Sequence, residues 1–303
     1  MKEWAARNGG GYFLSKILEV EQRYGAVEDL EQMFTELDSA TGAFADLHDS
    51  ERSSCNLRLR ECIADMFVAI SQTKAERDLY RDLSRMIDPV DAILTFNYDT
   101  AIEKALIEAG KFSVKGYTFP ISWSDEDFPS VRVLKLHGSI NWIGAVGGPS
   151  SGGFSAGGFR LIGPCVDNRM GLLPNYPHRV LDDVCSRLPQ FSASATMILP
   201  TFEKRFSIRT SLGDEWGNVF RKLWKEADAC LSQSDRLVII GYSLPDADKW
   251  ANSLLLETSN KNILVNVCCN NGTAKIEERF RHAMFARVEP LSDPTFEGLV
   301  ARS

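Results

Sequence analysis

Residues 92–99 read Ala-Ile-Leu-Thr-Phe-Asn-Tyr-Asp, an apolar run of five residues that ends in a polar triplet. The run follows Asp88-Pro89 and is too short for a helix of its own, so it predicts a β-strand. From Thr100 onward apolar residues recur with helical spacing, and Gly110 stands where a helix-ending glycine is expected. The stretch 92–110 therefore predicts a strand, a polar turn and a helix.

The same kind of apolar run recurs further along the chain, at residues 131–136, 196–199, 237–240 and 263–267. Amphipathic helical stripes lie near the later runs, at 216–227 and 250–255. Near-continuous apolar strands that alternate with amphipathic helices are typical of a parallel sheet covered on both faces. The pattern therefore predicts an α/β fold built on a mostly parallel sheet.

Two other regions define the expected domain organisation. Residues 12–88 show apolar residues at helical spacing, so we predict a helical module over 1–88 and an α/β domain over 89–303. The apolar residues of the module are explained equally well by core packing and by an oligomer face. Residues 144–158 contain seven glycines in fifteen positions, and no helical run begins there. We expect a flexible loop at 144–158 rather than a phosphate-binding turn.

Composition excludes several classes of protein. The chain has 303 residues, 44% of them hydrophobic and 25% charged, which is ordinary for a globular protein and unlike a disordered one. A net charge of −7 argues against direct nucleic-acid binding through a broad basic face. No apolar run reaches the length of a membrane span and no signal peptide is recognisable, so we expect no membrane association and a cytoplasmic location. The seven cysteines form no C-x-x-C pair, and we expect no metal site.

Polar residues and glycines follow four of the apolar runs. In open parallel sheets the ligand lies beyond the carboxyl ends of the strands, so these positions are the candidate site. Each has a simpler explanation when taken alone: Asp99 as a helix cap, His137 as a structural histidine, Ser243 as a cap. Their occurrence at four strand ends favours a shared site. The candidate residues are Asn97, Asp99, His137, Gly138, Ser139, Gly241, Ser243 and Asn270.

Three of these segments together resemble a known family. The segments are TFNYD at 95–99, KLHGSINW at 135–142 and IGYSLPD at 240–246. In this order they are similar to the motifs of the sirtuin-like family, and more closely to its bacterial branch of NAD-cleaving anti-phage defence proteins. The resemblance covers roughly residues 88–272. It implies a doubly wound, Rossmann-like, NAD-binding sheet with a helical module.

The resemblance also implies a chemistry. NAD would be the substrate, with Asn97 orienting water or the ribose and His137 acting as the general base. Asp99 would bind the nicotinamide carboxamide. The other NAD-binding positions would be Thr95, Gly138, Ser139, Gly241, Ser243 and Asn270. The implied function is an NAD+ glycohydrolase that releases nicotinamide and ADP-ribose and depletes NAD during phage infection, with a homo-oligomer or a separate activator or sensor polypeptide as the trigger.

Two departures from the family keep other functions open. The four-cysteine zinc module of the family's deacylases is replaced by the glycine-rich stretch, which argues against protein deacylation and favours NAD hydrolysis or a related ADP-ribose chemistry. A protein deacylase or an ADP-ribosyltransferase stays a weaker expectation than the hydrolase. The family's opening strand with its Gly-Ala-Gly turn has no counterpart here. The chain is then either truncated, completed by another segment or subunit, or a degenerate member. In the last case it would be a non-catalytic nucleotide-binding or scaffold subunit of a defence complex.

Overall fold

The computed structural model describes residues 30–52, 55, 74–118, 130–146, 159–164, 192–197, 215–246, 248–269 and 272–301, together with Ser15, Leu18 and Gln22. The expected helical pattern over 12–29 and 56–73 therefore lies largely outside the described residues, as do residues 147–158 of the predicted loop and Asn270.

The described part of the chain contains both helices and strands. The helices are α1 (Leu30–Ser39), α2 (Lys74–Met86), α3 (Ala101–Glu108), α4 (Glu215–Gln233), α5 (Lys249–Leu256), α6 (Thr273–His282) and α7 (Phe296–Val300). The strands are β1 (Ala92–Thr95), β2 (Arg132–Lys135), β3 (Gly138–Val146), β4 (Phe159–Pro164), β5 (Ser192–Met197), β6 (Arg236–Ile240), β7 (Leu264–Cys268) and β8 (Arg287–Val288).

Two groups of strands are parallel. β1 pairs with β2 in register Ala92 to Arg132, and the order β6-β7-β8 forms a second parallel sheet. The connection from β1 to β2 includes α3, and the connection from β6 to β7 includes α5. These are strand–helix–strand units, so the predicted α/β class with parallel pairing is confirmed.

The strands between these two groups are antiparallel. β3 pairs on one side with β4 and on the other with β5. The run at 196–199 was expected in the parallel sheet, and that prediction is wrong for its described residues, because β5 runs antiparallel to β3. The predicted loop at 144–158 is also wrong at its start. Residues 144–146 belong to β3, where pairing on both sides holds even a glycine in extended backbone.

α3 shows how local sequence sets an element of this fold. Its carboxyl end closes as the position of Gly110 predicted, with a φ of 68° that glycine adopts without steric cost. The amide of Lys111 donates to the carbonyl of Leu106 at 2.8 Å, and the amide of Gly110 donates to that of Ile107 at 3.0 Å. This is the 6→1 and 5→2 pattern of a Schellman motif, which satisfies the last helical carbonyls.

One apolar core connects the two parallel sheets. Val133 of β2, Val265 of β7 and Phe220 of α4 belong to the same cluster and are fully buried. α2 packs against α3, and the Lys111 ammonium donates to three carbonyls at the end of α2, that of Ile87 at 2.7 Å. The carboxyl-terminal part of the predicted helical module is thus tied to the α/β core. No helix in the described ranges combines the length and apolarity that crossing a membrane requires.

Candidate functional site

The turns that carry Asn97 and His137 lie side by side. We call residues 97–99 the Asn97 turn and residues 136–139 the His137 turn. The Leu136 amide donates to the Thr95 carbonyl at 2.9 Å, and the Ile140 amide donates to the Tyr98 carbonyl at 3.0 Å. Parallel pairing of β1 and β2 continues into the two turns through these bonds. The two segments that the sequence singled out therefore meet at one sheet edge.

His137 faces a buried carboxylate that the sequence analysis did not select. Its Nε2 lies 3.4 Å from Oδ2 of Asp248, and the two side chains are 7% and 1% exposed. A carboxylate at an imidazole nitrogen fixes the tautomer and stabilises the imidazolium that forms when the ring accepts a proton. The pair therefore has the arrangement of a general base and its orienting group.

Asp248 is held in place by α5 and by a neighbouring phenol. It is the N-cap residue of α5, where its Oδ1 accepts the Ala251 amide at 3.2 Å. The Tyr242 hydroxyl donates to its Oδ2 at 3.0 Å. The amino end of a helix also favours a negative charge. These partners offset the desolvation of the carboxylate and leave it oriented toward His137.

Aromatic rings surround His137 on several sides. We call Phe96, Tyr98, Trp224 and Tyr242 the aromatic cluster. Phe96 lies 5.0 Å from the His137 ring centroid and stacks on Tyr242 at 4.4 Å, while the rings of Tyr98 and Trp224 lie 6.4 Å from His137. The indole of Trp224 also donates to the Leu136 carbonyl at 3.1 Å, which fixes the His137 turn from a second side. Such apolar walls limit the access of water and strengthen the charge interactions of the site.

The turn after β6 has two residues in left-handed backbone. Gly241 has a φ of 64°, and its amide donates to the Cys268 carbonyl at 2.8 Å. A Cβ at Gly241 would meet no atom within 4 Å. Leu244 has a φ of 52° although it is a buried branched residue, and the Arg279 guanidinium donates to its carbonyl. Non-glycine residues in this conformation cost about 1–3 kcal/mol and cluster at functional sites.

The other predicted residues of the first strand end have mixed surroundings. Asn97 is exposed, and its backbone amide donates to Oγ1 of Thr95 at 3.1 Å. Asp99 is half-buried, and its Oδ1 accepts the Ala101 amide at 2.9 Å at the start of α3. The N-cap residue of α3 is Thr100, so the simpler interpretation of Asp99 as the N-cap is wrong by one residue, although its carboxylate does accept an amide of the first helical turn. Its role toward nicotinamide stays a prediction.

The predicted residues of the second and fourth runs also divide into buried and exposed groups. Gly138 and Ser139 are buried, and Gly138 has a φ of 86°. The Ser139 hydroxyl bonds to Oδ1 of Asn141 at 2.6 Å and to the Tyr98 carbonyl at 3.2 Å, so it serves the interior. Ser243 is exposed beside Gly241. The structure thus brings Thr95, Asn97 and Asp99 next to Gly138 and Ser139 through the paired turns.

Two side chains of this region were missed by sequence reasoning. Asp248 had the signal of an acidic residue directly before an amphipathic helix, but that signal is equally typical of a simple cap. Lys135 had a stronger one, because a lysine inside an apolar strand run is seldom found fully buried without a partner.

Among the described residues, no group of three or more histidine, cysteine, aspartate or glutamate side chains is placed to hold a metal ion. The chain matches no protein-family model and no curated protein.

Proposed function

We propose that this chain hydrolyses NAD at the bond between nicotinamide and ribose. The observation that carries the proposal is the buried pair of His137 and Asp248. The His137 turn is hydrogen-bonded to the Asn97 turn, which carries an exposed asparagine. The pair supplies a base with an orienting carboxylate, and Asn97 supplies an amide at the same sheet edge. The three sequence motifs that resemble the sirtuin-like family supply the substrate class.

The proposed reaction is a displacement at C1′ of the nicotinamide ribose. The oxygen of a water molecule forms a bond to C1′ while the bond from C1′ to the pyridinium nitrogen breaks. The electron pair of the broken bond returns to that nitrogen, which gives neutral nicotinamide. His137 accepts the proton that the attacking water loses, and ADP-ribose is the second product. General-base assistance of this kind is typically worth about 10²–10⁴ in rate.

In the proposed fold the two parallel groups of strands belong to one doubly wound, Rossmann-like sheet. Its support is the shared core of the two parallel groups and the contact of Phe96, which follows β1, with Tyr242, which follows β6. Both residues follow carboxyl ends of parallel strands, where such sheets bind nucleotides. The cellular role proposed with this activity is NAD depletion during phage infection, on the basis of the resemblance alone.

A second candidate is a nucleotide-binding or scaffold subunit without turnover. The hydrogen bond from Ala101 to Asp99 and the interior bonds of Ser139 favour it, because both side chains then serve the fold. The two candidates differ in one measurable property, the release of nicotinamide.

The test is incubation of the purified full chain with NAD, with nicotinamide and ADP-ribose quantified by chromatography. We expect turnover by the wild type and a loss of about 10²-fold or more in kcat for Asn97→Ala and for His137→Gln. The matched controls are Asn262→Ala and His282→Gln, two exposed residues of the same types, which should keep wild-type rates.

Each other outcome has a defined meaning. Turnover retained in both Asn97→Ala and His137→Gln would show that the assigned roles are wrong. Binding of NAD by calorimetry without any product would favour the scaffold. Neither binding nor turnover would contradict the hydrolase and a subunit that binds NAD, and would leave a scaffold that does not bind NAD. Circular dichroism and thermal melting of every variant separate a lost activity from a lost fold.

A further inference from the structure

A fully buried ion pair lies directly beneath the two turns. Nζ of Lys135 is 2.9 Å from Oε1 of Glu103, and both side chains have an exposure of 0%. Lys135 is the last residue of β2 and Glu103 is in the first turn of α3, so the pair joins the two elements that lead into the site. Burying two charges costs several kcal/mol per ion before their attraction is counted.

Stability alone is a weak reason for this pair. Buried ion pairs can often be replaced by apolar residues without loss of stability. The environment of Glu103 is also incomplete within the described part of the chain, because its Oε2 is buried there without a hydrogen-bond partner. The Tyr117 hydroxyl donates to Oε1 at 3.0 Å and accepts from the Asn141 amide at 3.1 Å. The hydrogen bonds of Glu103 therefore orient the Lys135 ammonium, but they leave one carboxylate oxygen of Glu103 unsatisfied.

The direction of the arrangement is toward the Asn97 turn. The Lys135 ammonium donates to the backbone carbonyl of Asp99, the residue that closes this turn. Together with the bonds from Leu136 and Ile140, this fixes three carbonyls of the segment 95–99, and all three donors come from residues 135–140. One residue separates Lys135 from His137, so the same short segment carries the proposed base and holds the turn that contains Asn97.

We propose that Lys135, oriented by Glu103, is a positioning residue that sets the Asn97 turn relative to His137. The effect of Lys135 on the turn follows from the geometry alone. Its effect on catalysis rests on the proposed function. Lys135 does not touch substrate in this scheme. It acts through the carbonyl of Asp99.

The experiment compares the double variant Lys135→Met/Glu103→Gln with the wild type. Both replacements are close to isosteric, neither leaves an unpaired buried charge, and the glutamine still accepts the Tyr117 hydroxyl. The matched control is Arg132→Met/Glu226→Gln, which removes a half-exposed ion pair of 3.1 Å between the same strand and α4. Three quantities are measured: the melting temperature, amide hydrogen exchange across the chain, and kcat and KM for NAD.

We expect the double variant to fold with a melting temperature close to that of the wild type. Exchange should become faster for residues 96–101 and stay unchanged elsewhere, since the backbone amides of Asn97 and Ala101 donate to the side chains of Thr95 and Asp99 in the segment that Lys135 holds. The expected kinetic effect is a loss of about 10²-fold in kcat with KM nearly unchanged, because a misplaced catalytic group costs about that factor. The control should match the wild type in all three quantities.

Several outcomes would overturn the proposal. Unchanged exchange at 96–101 in the double variant would show that Lys135 does not hold the turn. Global loss of protection or of cooperative melting would show that the pair serves folding itself. A melting temperature and a kcat that both equal those of the wild type would contradict the positioning role. A wild type without turnover would contradict the proposed function instead, and the exchange measurement, which needs no NAD, would still decide whether Lys135 holds the turn.

Discussion

Replacement of Asp248 by asparagine removes the negative charge that faces His137. Asparagine is as good an N-cap as aspartate, so the bond from the Ala251 amide and the start of α5 should survive. The asparagine has only one oxygen, so its amino group takes the place of Oδ2, and the Tyr242 hydroxyl there changes from donor to acceptor. The variant therefore loses the acceptor and the negative charge beside the imidazole.

The size of the effect follows from the separation of 3.4 Å between Nε2 of His137 and Oδ2 of Asp248. At an effective dielectric constant of about 20, two unit charges at this separation attract by about 5 kcal/mol. This attraction exists only when the ring has accepted the proton, so in the proposed reaction it lowers the barrier and leaves the energy of the resting state unchanged. Because the amide dipole and relaxation recover part of it, we expect kcat to fall by about 10²–10³-fold, at about 1.4 kcal/mol for each factor of ten.

The assay is nicotinamide release under saturating NAD, with a thermal melt of each variant. Asp248→Asn should melt close to the wild type, whereas Asp248→Ala should also lose about 1 kcal/mol of stability with its cap. The matched control is Asp246→Asn, because Asp246 precedes α5 in the same connection, is 88% exposed and lies 3.2 Å from the Arg279 guanidinium. Wild-type kcat in Asp248→Asn, or an equal loss in Asp246→Asn, would refute the orienting role.

Two further predictions concern glycine and cysteine positions. Gly241→Ala should lower the free energy of unfolding by about 1–2 kcal/mol because of its positive φ, and should raise the KM for NAD with kcat retained. The control is Gly110→Ala, at a glycine with a φ of 68° and equally open space, which should lose the same stability and leave KM unchanged. Equal KM values in the two variants would contradict close approach of a ligand to Gly241. Burial raises the pKa of the Cys268 thiol from 9.0 to about 11, so the free energy of unfolding should fall as pH rises from about 9 toward 11, where only the unfolded chain ionises this thiol. Urea titrations over this range should show the fall in the wild type and a smaller one in Cys268→Ala, and iodoacetamide at about pH 8 should leave the folded thiol unlabelled.

The parts of the fold that were predicted from sequence are those in which one local signal suffices. The strand β1, the turn at 97–99 and the helix α3 with its glycine stop all follow from short-range patterns. The stripes at 216–227 and 250–255 likewise became α4 and α5. In each case the periodicity of apolar residues and the terminal residues point to the same element.

The direction of strand pairing was not predictable in the same way. Residues 196–199 are apolar like the other runs, yet β5 pairs antiparallel with β3. Apolar content indicates burial and says nothing of direction, which depends on how the connection returns to the sheet. The start of the predicted loop at 144–158 was wrong for a related reason. Gly144 takes extended backbone because a strand pairs on each side of it, and the local sequence does not show that pairing.

The candidate site depends on contacts between residues far apart in sequence. His137 and Asp248 are separated by about half of the α/β region at 89–303, so no spacing rule connects them. Asn97 and His137 were easier to associate, because each follows a strand and parallel strands present their carboxyl ends to one edge. A pairing between turns can thus be predicted from topology, whereas the partner of a buried side chain needs coordinates.

The segment at 135–142 shows why this edge differs from an ordinary core. Polar and apolar residues alternate through KLHGSINW, which in a half-exposed strand would place the polar set in water. Here all eight residues are buried, and each polar one has a partner: Glu103 for Lys135, Asp248 for His137, and each other for Ser139 and Asn141. Apolar residues would fill the same space without four polar groups to desolvate. Placing an imidazole and the turn of an amide at fixed positions does require such directional partners, so this concentration of buried polar side chains favours a catalytic edge over a scaffold.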